Sequence, residues 1–396
     1  MEKIGIDELD LSGKRVLIRV DFNVPLNEAL SVTDDTRIRA SLPTISYAMG
    51  HGAKVILLSH LGRPKGKVVP EMSLRPVAQR LSQLLGKEVK MAKDCVGEEV
   101  KSEIEGMRGG EVLLLENCRF HKGDEENDEA FSRALAELAD IYVNDAFGAA
   151  HRAHASTVGV TRFVPVSAAG FLLQREIQYL GKAVSNPERP FIAILGGAKV
   201  SDKIGVIRNL MGKVDALLIG GAMAYTFEKA QGLSVGSSLV EEDKLNLAKQ
   251  LLQEAQSRKL KLLLPLDHVV AERAEPGAKT RTVKTGAIPD GWKGLDIGPQ
   301  TIEGYSQEIQ AAKTILWNGP LGVFEIEPFR QGTMAIARAI ASSSATSIVG
   351  GGDSAAAVAQ AKVADRITHI STGGGATLEF LEGIELPGIA ALTDRR

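Results

Sequence analysis

The side chains of this chain that could do chemistry are mostly cations placed where apolar runs give out. In the first half, Asp21, Asn23, His60, Arg63, Arg119 and Arg152 follow such runs or lie on the loops after them, and Arg37 comes early in a helical stretch. Guanidinium groups present a fork of donors that matches phosphate and carboxylate. A lone arginine after a strand is ordinarily a solvated surface group. Four of them with a His, an Asp and an Asn point to a small anionic, oxygen-rich ligand. In the second half, Gly196-Gly197 is followed by Lys199 and Lys203. On a helix predicted over 198–210 these lysines are one turn apart, with their ammonium groups side by side above a phosphate-binding turn. The plainer alternative is a strand-to-helix turn with two solvated lysines.

Glycines mark the remaining run ends of the second half: Gly220-Gly221, Gly350-Gly351-Gly352 and Gly373-Gly374-Gly375. Glycine lets backbone amides approach the phosphates, ribose and base of a nucleotide without a Cβ in the way. Asp353, followed by the hydroxyl of Ser354, suits Mg²⁺ held beside phosphates. A simple helix N-cap is the other reading of Asp353, and the two are compatible.

Elements that could position these residues alternate along the chain. Apolar, β-prone runs at 14–20, 54–58, 111–115 and 141–143, and again at 191–195, 216–219, 261–264, 314–317, 346–349 and 367–370, read as strands. Helical spacing separates several of them, as at 37–49, 75–85 and 130–139. Pro43 falls inside the first of these and predicts a turn or kink. Strands alternating with helices imply parallel sheets, whose ligands bind beyond the carboxyl ends of the strands. The first half ends its strands in arginines, the second in glycines. The expected fold is α/β: two Rossmann-like domains, each a parallel β-sheet flanked by helices, joined by a hinge helix. The helical stretch from Phe171, closed by Asn186-Pro-Glu-Arg-Pro190, is the expected connector.

A chain of 396 residues exceeds one ordinary core. Its 44% hydrophobic and 24% charged residues are those of a globular protein, and a formal net charge of −2 gives no global field for nucleic acid or an anionic membrane. No apolar run reaches the ~18 residues of a membrane span, and the first residues lack a signal-peptide pattern. Cys95 and Cys118 fit neither a metal spacing nor a disulfide framework, so reduced thiols in a cytoplasmic protein are expected.

Other chemistries fit poorly. No G-x-x-x-x-G-K-[ST] occurs, and Gly350 to Ala355 matches a dinucleotide fingerprint only loosely. The pair His151/His154 lacks a third metal ligand of obvious placement. His51, His121, His268 and His369 read as packing or surface residues. Neither Ser59 nor Ser201 has a triad context, so covalent catalysis is unsupported.

Longer motifs carry a resemblance. Arg19-Val-Asp-Phe-Asn-Val-Pro25, Ser59-His-Leu-Gly-Arg-Pro64, Leu115-Glu-Asn-Cys-Arg-Phe120, Asn144-Asp-Ala-Phe-Gly148, Ala150-His-Arg-Ala-His-Ala-Ser156, Gly196-Gly-Ala-Lys-Val-Ser-Asp-Lys203, Trp317-Asn-Gly-Pro-Leu-Gly-Val-Phe-Glu325, Gly350-Gly-Gly-Asp-Ser354 and Ser371-Thr-Gly-Gly-Gly-Ala376 resemble the phosphoglycerate kinase family. The resemblance implies reversible, Mg²⁺-dependent transfer of a phosphoryl group from 1,3-bisphosphoglycerate to ADP, giving 3-phosphoglycerate and ATP. It places the chain in glycolysis, gluconeogenesis or carbon fixation and implies a monomer. By motif, Asp21, Asn23, Arg37, His60, Arg63, Arg119 and Arg152 correspond to the phosphoglycerate-binding set. Lys199, Lys203, Gly220, Gly221, Gly294, Asn318, Glu325, Gly351, Gly352, Asp353 and Ser354 correspond to the nucleotide side, and Asp353 to the Mg²⁺ ligand. Gly373, Gly374 and Gly375 face the transferred phosphoryl group. Arg37, Lys199 and Gly374 are the implied catalytic groups. Ala222 departs from the pattern, standing where many members have a third glycine.

The implied domains are a phosphoglycerate-binding domain at 1–170, a hinge helix and linker at 171–187, and a nucleotide-binding domain at 188–378. A tail at 379–396 is expected to pack back toward the first domain. Two rival readings remain: a nicotinamide-dependent dehydrogenase, on the glycine clusters and α/β pattern alone, and a nucleotide-binding scaffold without activity. The presence of Arg37, Lys199, Lys203 and Asp353 argues against the second.

Overall fold

The computed structural model describes residues 2–395, which divide into two compact units: 2–178 with 385–395, and 179–384. In the first unit, apolar runs form the strands β1 (Arg15–Arg19), β2 (Lys54–Leu58), β3 (Val89–Met91), β4 (Val112–Leu114), β5 (Ile141–Asn144) and β6 (Ser167–Ala169). They make one parallel sheet in the order β3-β4-β2-β1-β5-β6. The central strands are apolar on both faces because helices cover both. Val16, Ile18, Val55, Leu57, Leu114 and Val143 pack with Ile38 and Ile45 of α1 (Thr36–Gly50) and Val77 and Leu81 of α2 (Arg75–Leu85). The helices α3 (Glu98–Glu105), α4 (Lys122–Glu125) and α5 (Glu129–Ala136) complete this part of the chain.

The helix expected over 37–49 runs through Pro43, which lies inside α1. Its missing N–H deprives only the carbonyl of Arg39, and Arg39 is exposed, so water can take that acceptor.

α6 (Phe171–Ser185) carries the chain from one unit into the other. The second unit contains β7 (Phe191–Leu195), α7 (Ile204–Met211), β8 (Ala216–Ile219), α8 (Met223–Ala230), β9 (Ser234–Val235), α9 (Leu245–Ser257), β10 (Lys261–Leu263), β11 (Asp267–Ala271), β12 (Arg281–Lys284), β13 (Ala287–Ile288), β14 (Lys293–Ile297), α10 (Pro299–Ala311), β15 (Thr314–Asn318), α11 (Gln331–Ser342), β16 (Thr346–Gly350), α12 (Gly352–Gln360), β17 (His369–Ile370) and α13 (Gly375–Leu381). Its main sheet is again parallel, in the order β10-β8-β7-β15-β16-β17. Ile192, Ile194, Leu218, Ile315, Trp317 and Val349 fill its core with Ile309 of α10 and Ile336 of α11. A smaller antiparallel sheet, β12-β11-β14, and the two-stranded β13-β9 are additions that the parallel pattern did not announce.

The final residues belong to the first unit. After α14 (Pro387–Ala390), the N–H of Thr393 donates to the carbonyl of Ser167, and the N–H of Ile4 to that of Thr393. Leu386 and Leu392 are buried there.

Candidate functional site

In the first unit the neighbouring strands β4, β2, β1 and β5 deliver their carboxyl ends to one edge of the sheet. β1 leads into Asp21 and Asn23, β2 into His60, and β4 into Arg119. Arg37, from the first turn of α1, reaches back to this edge. Its Nη1 donates to Asp21 Oδ1 at 3.2 Å and to the carbonyl of Asn23 at 3.1 Å. Asn23 Oδ1 accepts from the N–H of Gly62 at 2.9 Å, and Arg119 Nη1 donates to the carbonyl of Gly62 at 3.1 Å. These bonds tie Asp21, Asn23, Arg37 and Arg119 to the loop that carries His60 and Arg63. Arg63 and Arg152 are themselves exposed.

Arg119 shows what this edge can do. Its Nε is buried and without a hydrogen-bond partner, with the nearest carboxylate, Glu125, at 3.8 Å. Burial, followed by the nearby charge of Arg19, depresses its pKa. An unpaired, partly desolvated guanidinium N–H is costly unless an anion arrives to accept from it.

Sequence reasoning did not single out the layer beneath these residues. Arg19, the last residue of β1, is fully buried. It donates to Ser156 Oγ at 3.1 Å, to the carbonyl of Val20 at 2.5 Å and to His60 Nδ1 at 3.0 Å. Arginine can only donate, so His60 accepts on Nδ1 and carries its ring proton on Nε2. Burial, then the charge of Arg19, holds the His60 pKa well below the usual histidine range. His60 is therefore neutral, with Nε2–H as its remaining ring donor. Asp124, also fully buried, accepts from the N–H of Ser156 at 2.9 Å and from Cys118 Sγ at 3.2 Å, and lies 4.0 Å from His154 Nδ1. The available signal was the charge of Arg19 inside an apolar run; Asp124 stands in an acidic stretch, where one more carboxylate draws no notice. Neither His151 nor His154 joins a group of three ligand-type side chains among the described residues.

In the second unit the sequence expectation for the lysines fails in one respect. α7 begins at Ile204, so Lys199 lies in the preceding turn and Lys203 is the N-cap residue. Gly197, at φ +114°, swings the chain wide of a helix, and the first helix-type bond from Lys203 N–H goes only to the carbonyl of Val200. The two lysines do not share a helical face. Lys199 is exposed, whereas Lys203 is buried and its ammonium donates to Asn318 Oδ1. Burial, partly offset by Asp202 and Asp353, lowers the Lys203 pKa to about 8. Asn318 is held in turn by its Nδ2 bond to the carbonyl of Gly350 at 2.9 Å.

The glycines separate into two kinds. The N–H groups of Gly196, Gly197, Gly220 and Gly221 donate to the carbonyls of Asn318, Pro320, Leu195 and Leu321, so they are not free phosphate donors as the sequence suggested. A Cβ on Gly220 would stand 2.2 Å from Leu321, and one on Gly294 2.3 Å from the Tyr225 ring. These glycines let protein pack on protein. At Gly352 and Gly374 a Cβ would meet nothing within 4 Å, which leaves main chain open to a ligand. Gly351, at φ +95°, is the N-cap of α12, so Asp353 is not the cap; it sits in the first turn with its carboxylate exposed. Ser354 is buried and its Oγ accepts from the N–H of Gly319 at 2.7 Å. Gly374 caps α13 at φ +51°, with Gly373 before it and Gly375 opening the helix. Glu325 is exposed on the loop after β15.

The family model for phosphoglycerate kinase matches residues 6–384. Phosphoglycerate kinases of Moorella thermoacetica and Koribacter versatilis are each 60% identical to this chain, with the whole of both chains covered. Among solved structures, phosphoglycerate kinase from Coxiella burnetii superposes with a TM-score of 0.91 at 44% identity, and that from Pyrococcus horikoshii with 0.85 at 34%. Each comparison covers 98% of both chains.

Proposed function

The chain belongs to the phosphoglycerate kinase family, phosphotransferases with a carboxyl group as acceptor, and from that premise we propose how its own residues divide the work. The substrates are 3-phosphoglycerate or its 1,3-bisphosphate and ATP or ADP. The cationic edge of the first unit takes the phosphoglycerate: Arg63, Arg119 and Arg152 with its phosphate, Asp21, Asn23 and His60 with its polar middle. The unpartnered Nε of Arg119 is the observation that carries this half of the reading.

The glycine loops of the second unit take the nucleotide. Lys203, Asn318 and the open turn at Gly351 and Gly352 lie on the phosphate side and Glu325 lines the rest; Gly220, Gly221 and Gly294 contribute through packing, by letting Leu321, Gly197 and Tyr225 come close. Asp353, an exposed carboxylate one residue after the open Gly352, fits a Mg²⁺ that keeps several waters and is shared with substrate phosphates. Bound there, the ion neutralises phosphate charge. Ser354 fixes the loop through Gly319 instead of offering a ligand oxygen.

The chemistry needs little more than position and charge. In the direction of ATP consumption the nucleophile is the carboxylate of 3-phosphoglycerate, ionised at pH 7 and in no need of a general base. Its oxygen attacks the terminal phosphorus in line as the bond to the ADP oxygen breaks, and the electrons leave with ADP. The transferred group is loose and metaphosphate-like, so stabilising its equatorial oxygens is the main task. Arg37, Lys199 and the start of α13 at Gly373 to Gly375 supply that charge and those donors. Arg37 is already oriented by Asp21; Lys199, on an exposed turn, is oriented only when the substrates are in place. Because the two substrates belong to different units, direct transfer requires closure, with α6 as the hinge. A monomeric, cytoplasmic enzyme completes this reading.

A coupled assay for Mg²⁺-dependent consumption of ATP on addition of 3-phosphoglycerate tests it. Turnover is expected from the wild-type chain. Lys199→Ala should lower kcat by roughly 10²–10³, as for other preorganised charge donors. An inactive wild-type chain would sink the activity, and an unchanged kcat in the variant would remove Lys199 from the reaction.

A further inference from the structure

Three side chains that the phosphoryl transfer does not use meet beside the arginine edge of the first unit. Asp94 and Cys95 lie on the loop that leaves β3, and His121 follows the turn Cys118–Phe120, two residues beyond Arg119. His121 Nε2 pairs with Asp94 Oδ1 at 2.6 Å. The N–H of Cys95 donates to the same oxygen at 2.6 Å, and the Cys95 thiol is buried close to that carboxylate. The carboxylate oxygen, the sulfur and the imidazole nitrogen all lie within 4.8 Å of one another. We propose that Asp94, Cys95 and His121 form a binding site for a zinc-type divalent cation, separate from the Mg²⁺ that accompanies the nucleotide.

The donor set argues for that class of ion. Sulfur with imidazole and one carboxylate is a borderline-soft combination that suits Zn²⁺ or Co²⁺ and is foreign to Mg²⁺, which takes oxygen. The His121 ring nitrogen is paired with the Asp94 carboxylate, and the Cys95 sulfur lies within 4.8 Å of both groups, so a cation would draw on the lone pairs of all three. Once the thiol is deprotonated and the imidazole neutral, the three ligands carry two negative charges, which a divalent ion balances. Binding therefore forms metal–sulfur, metal–nitrogen and metal–oxygen bonds; the thiol proton goes to water, and the Nε2 proton that His121 shares with Asp94 leaves to water from an imidazolium or is replaced by one on Nδ1 in the neutral ring, with no oxidant involved. Burial, the largest influence, pushes the Cys95 thiol well up, so sulfur is recruited only by an ion that can displace its proton.

Geometry allows it. Bonds of ~2.0–2.3 Å place tetrahedral ligands roughly 3.3–3.8 Å apart, so Asp94 and His121, now 2.6 Å apart, must separate by about 1 Å, while the sulfur, within 4.8 Å of both, draws in by at most about 1 Å. Cys95 is fully buried, but His121 and Asp94 keep 34% and 48% of their side chains exposed. The ion can enter from that side and keep a water as fourth ligand. The His121 ring is stacked on Phe131, centroids 5.1 Å apart, which limits its swing. Nothing in the linear spacing betrays the site, because His121 lies far along the chain from Cys95 and the three meet only through the sheet.

The full-length chain, stripped with a chelator, is titrated with Co²⁺ alone and then with Zn²⁺ alone. Near-ultraviolet sulfur-to-cobalt absorption saturating at one equivalent and displaced by Zn²⁺ is expected, and Cys95→Ser should abolish it. Absence of that band in the wild-type chain, or its persistence in Cys95→Ser, overturns the proposal. The half-exposed ligands give a check independent of a core substitution. Asp94→Asn and His121→Gln should each weaken Zn²⁺ by at least about tenfold, the least that even an outer-shell change costs such a site. Full affinity in both would leave Asp94 and His121 as a plain ion pair.

Discussion

At pH values above about 8, Lys203 gives up the proton that its proposed role as a phosphate ligand requires, because burial beside Asn318 disfavours its ammonium form. The sign follows directly: below that value the charge is present and nucleotide binding is supported; above it the charge is lost and the KM for ATP rises. An initial-rate profile over about pH 6–10 should therefore show KM climbing through roughly 8. Lys203→Met should raise KM by roughly 10–100-fold at neutral pH, the worth of a charged hydrogen bond, and remove the inflection. An inflection that survives the substitution belongs to another group. The glycines offer a sharper division. Gly294→Ala forces a methyl against Tyr225 and should cost about 1–3 kcal/mol in denaturant unfolding. Gly352→Ala meets open space and should leave stability unchanged while raising the nucleotide KM. If the two effects are exchanged, the division into packing and ligand-side glycines is wrong. At this scale the sequence showed which glycines cluster but not why. A glycine filled by Leu321 and one facing solvent read alike in one dimension. Arg19 and Asp124 escaped for a related reason: burial of a charge appears only once Ser156, His60 and Cys118 are folded around it.

Elements were legible where both faces of a strand are buried. Phe191–Leu195 and Thr314–Asn318 are fully buried, and their unbroken apolar runs announced them. β12 could not announce itself, since Arg-Thr-Val-Lys is almost wholly exposed and pairs with β11 across a long loop. β3, with one buried residue in Val-Lys-Met, was silent for the same reason. The late start of α7 was hidden because Ala198 to Lys203 has helical spacing, and only the left-handed Gly197 diverts it. The final segment behaves as an element of the first unit although it comes last in sequence. The N–H of Gly388 donates to the carbonyl of Ala150 at 2.8 Å, and Leu386 and Leu392 are 2% and 3% exposed. Burial of two leucines contributes about 3–6 kcal/mol at most. A chain ending at Ile384 should therefore melt in two calorimetric steps, the first unit early and the second near its original temperature. One unshifted transition would show that the segment stabilises nothing.

For the molecule as a whole, the proposed direct transfer would link two binding events that neither unit completes alone. A ligand shifts a conformational equilibrium only by its differential affinity for the two states. If closure is what brings the reacting oxygen and phosphorus into line, each substrate alone contacts mainly its own unit and gives little bias toward the closed state. On the proposed roles, both together would gain the charge stabilisation shared by Arg37, Lys199 and the α13 start, available only on closing. Small-angle scattering should then give the same radius of gyration for the free chain, for the 3-phosphoglycerate complex and for the complex with a non-hydrolysable ATP analogue and Mg²⁺. Only the ternary complex should be more compact. Lys199→Ala removes part of the shared gain without touching either binding edge, so its ternary complex should contract less while both single-ligand affinities hold. Full contraction by one ligand would place the closing contacts within a single substrate's reach. No contraction with both would mean that closure is not the step that aligns the reactants.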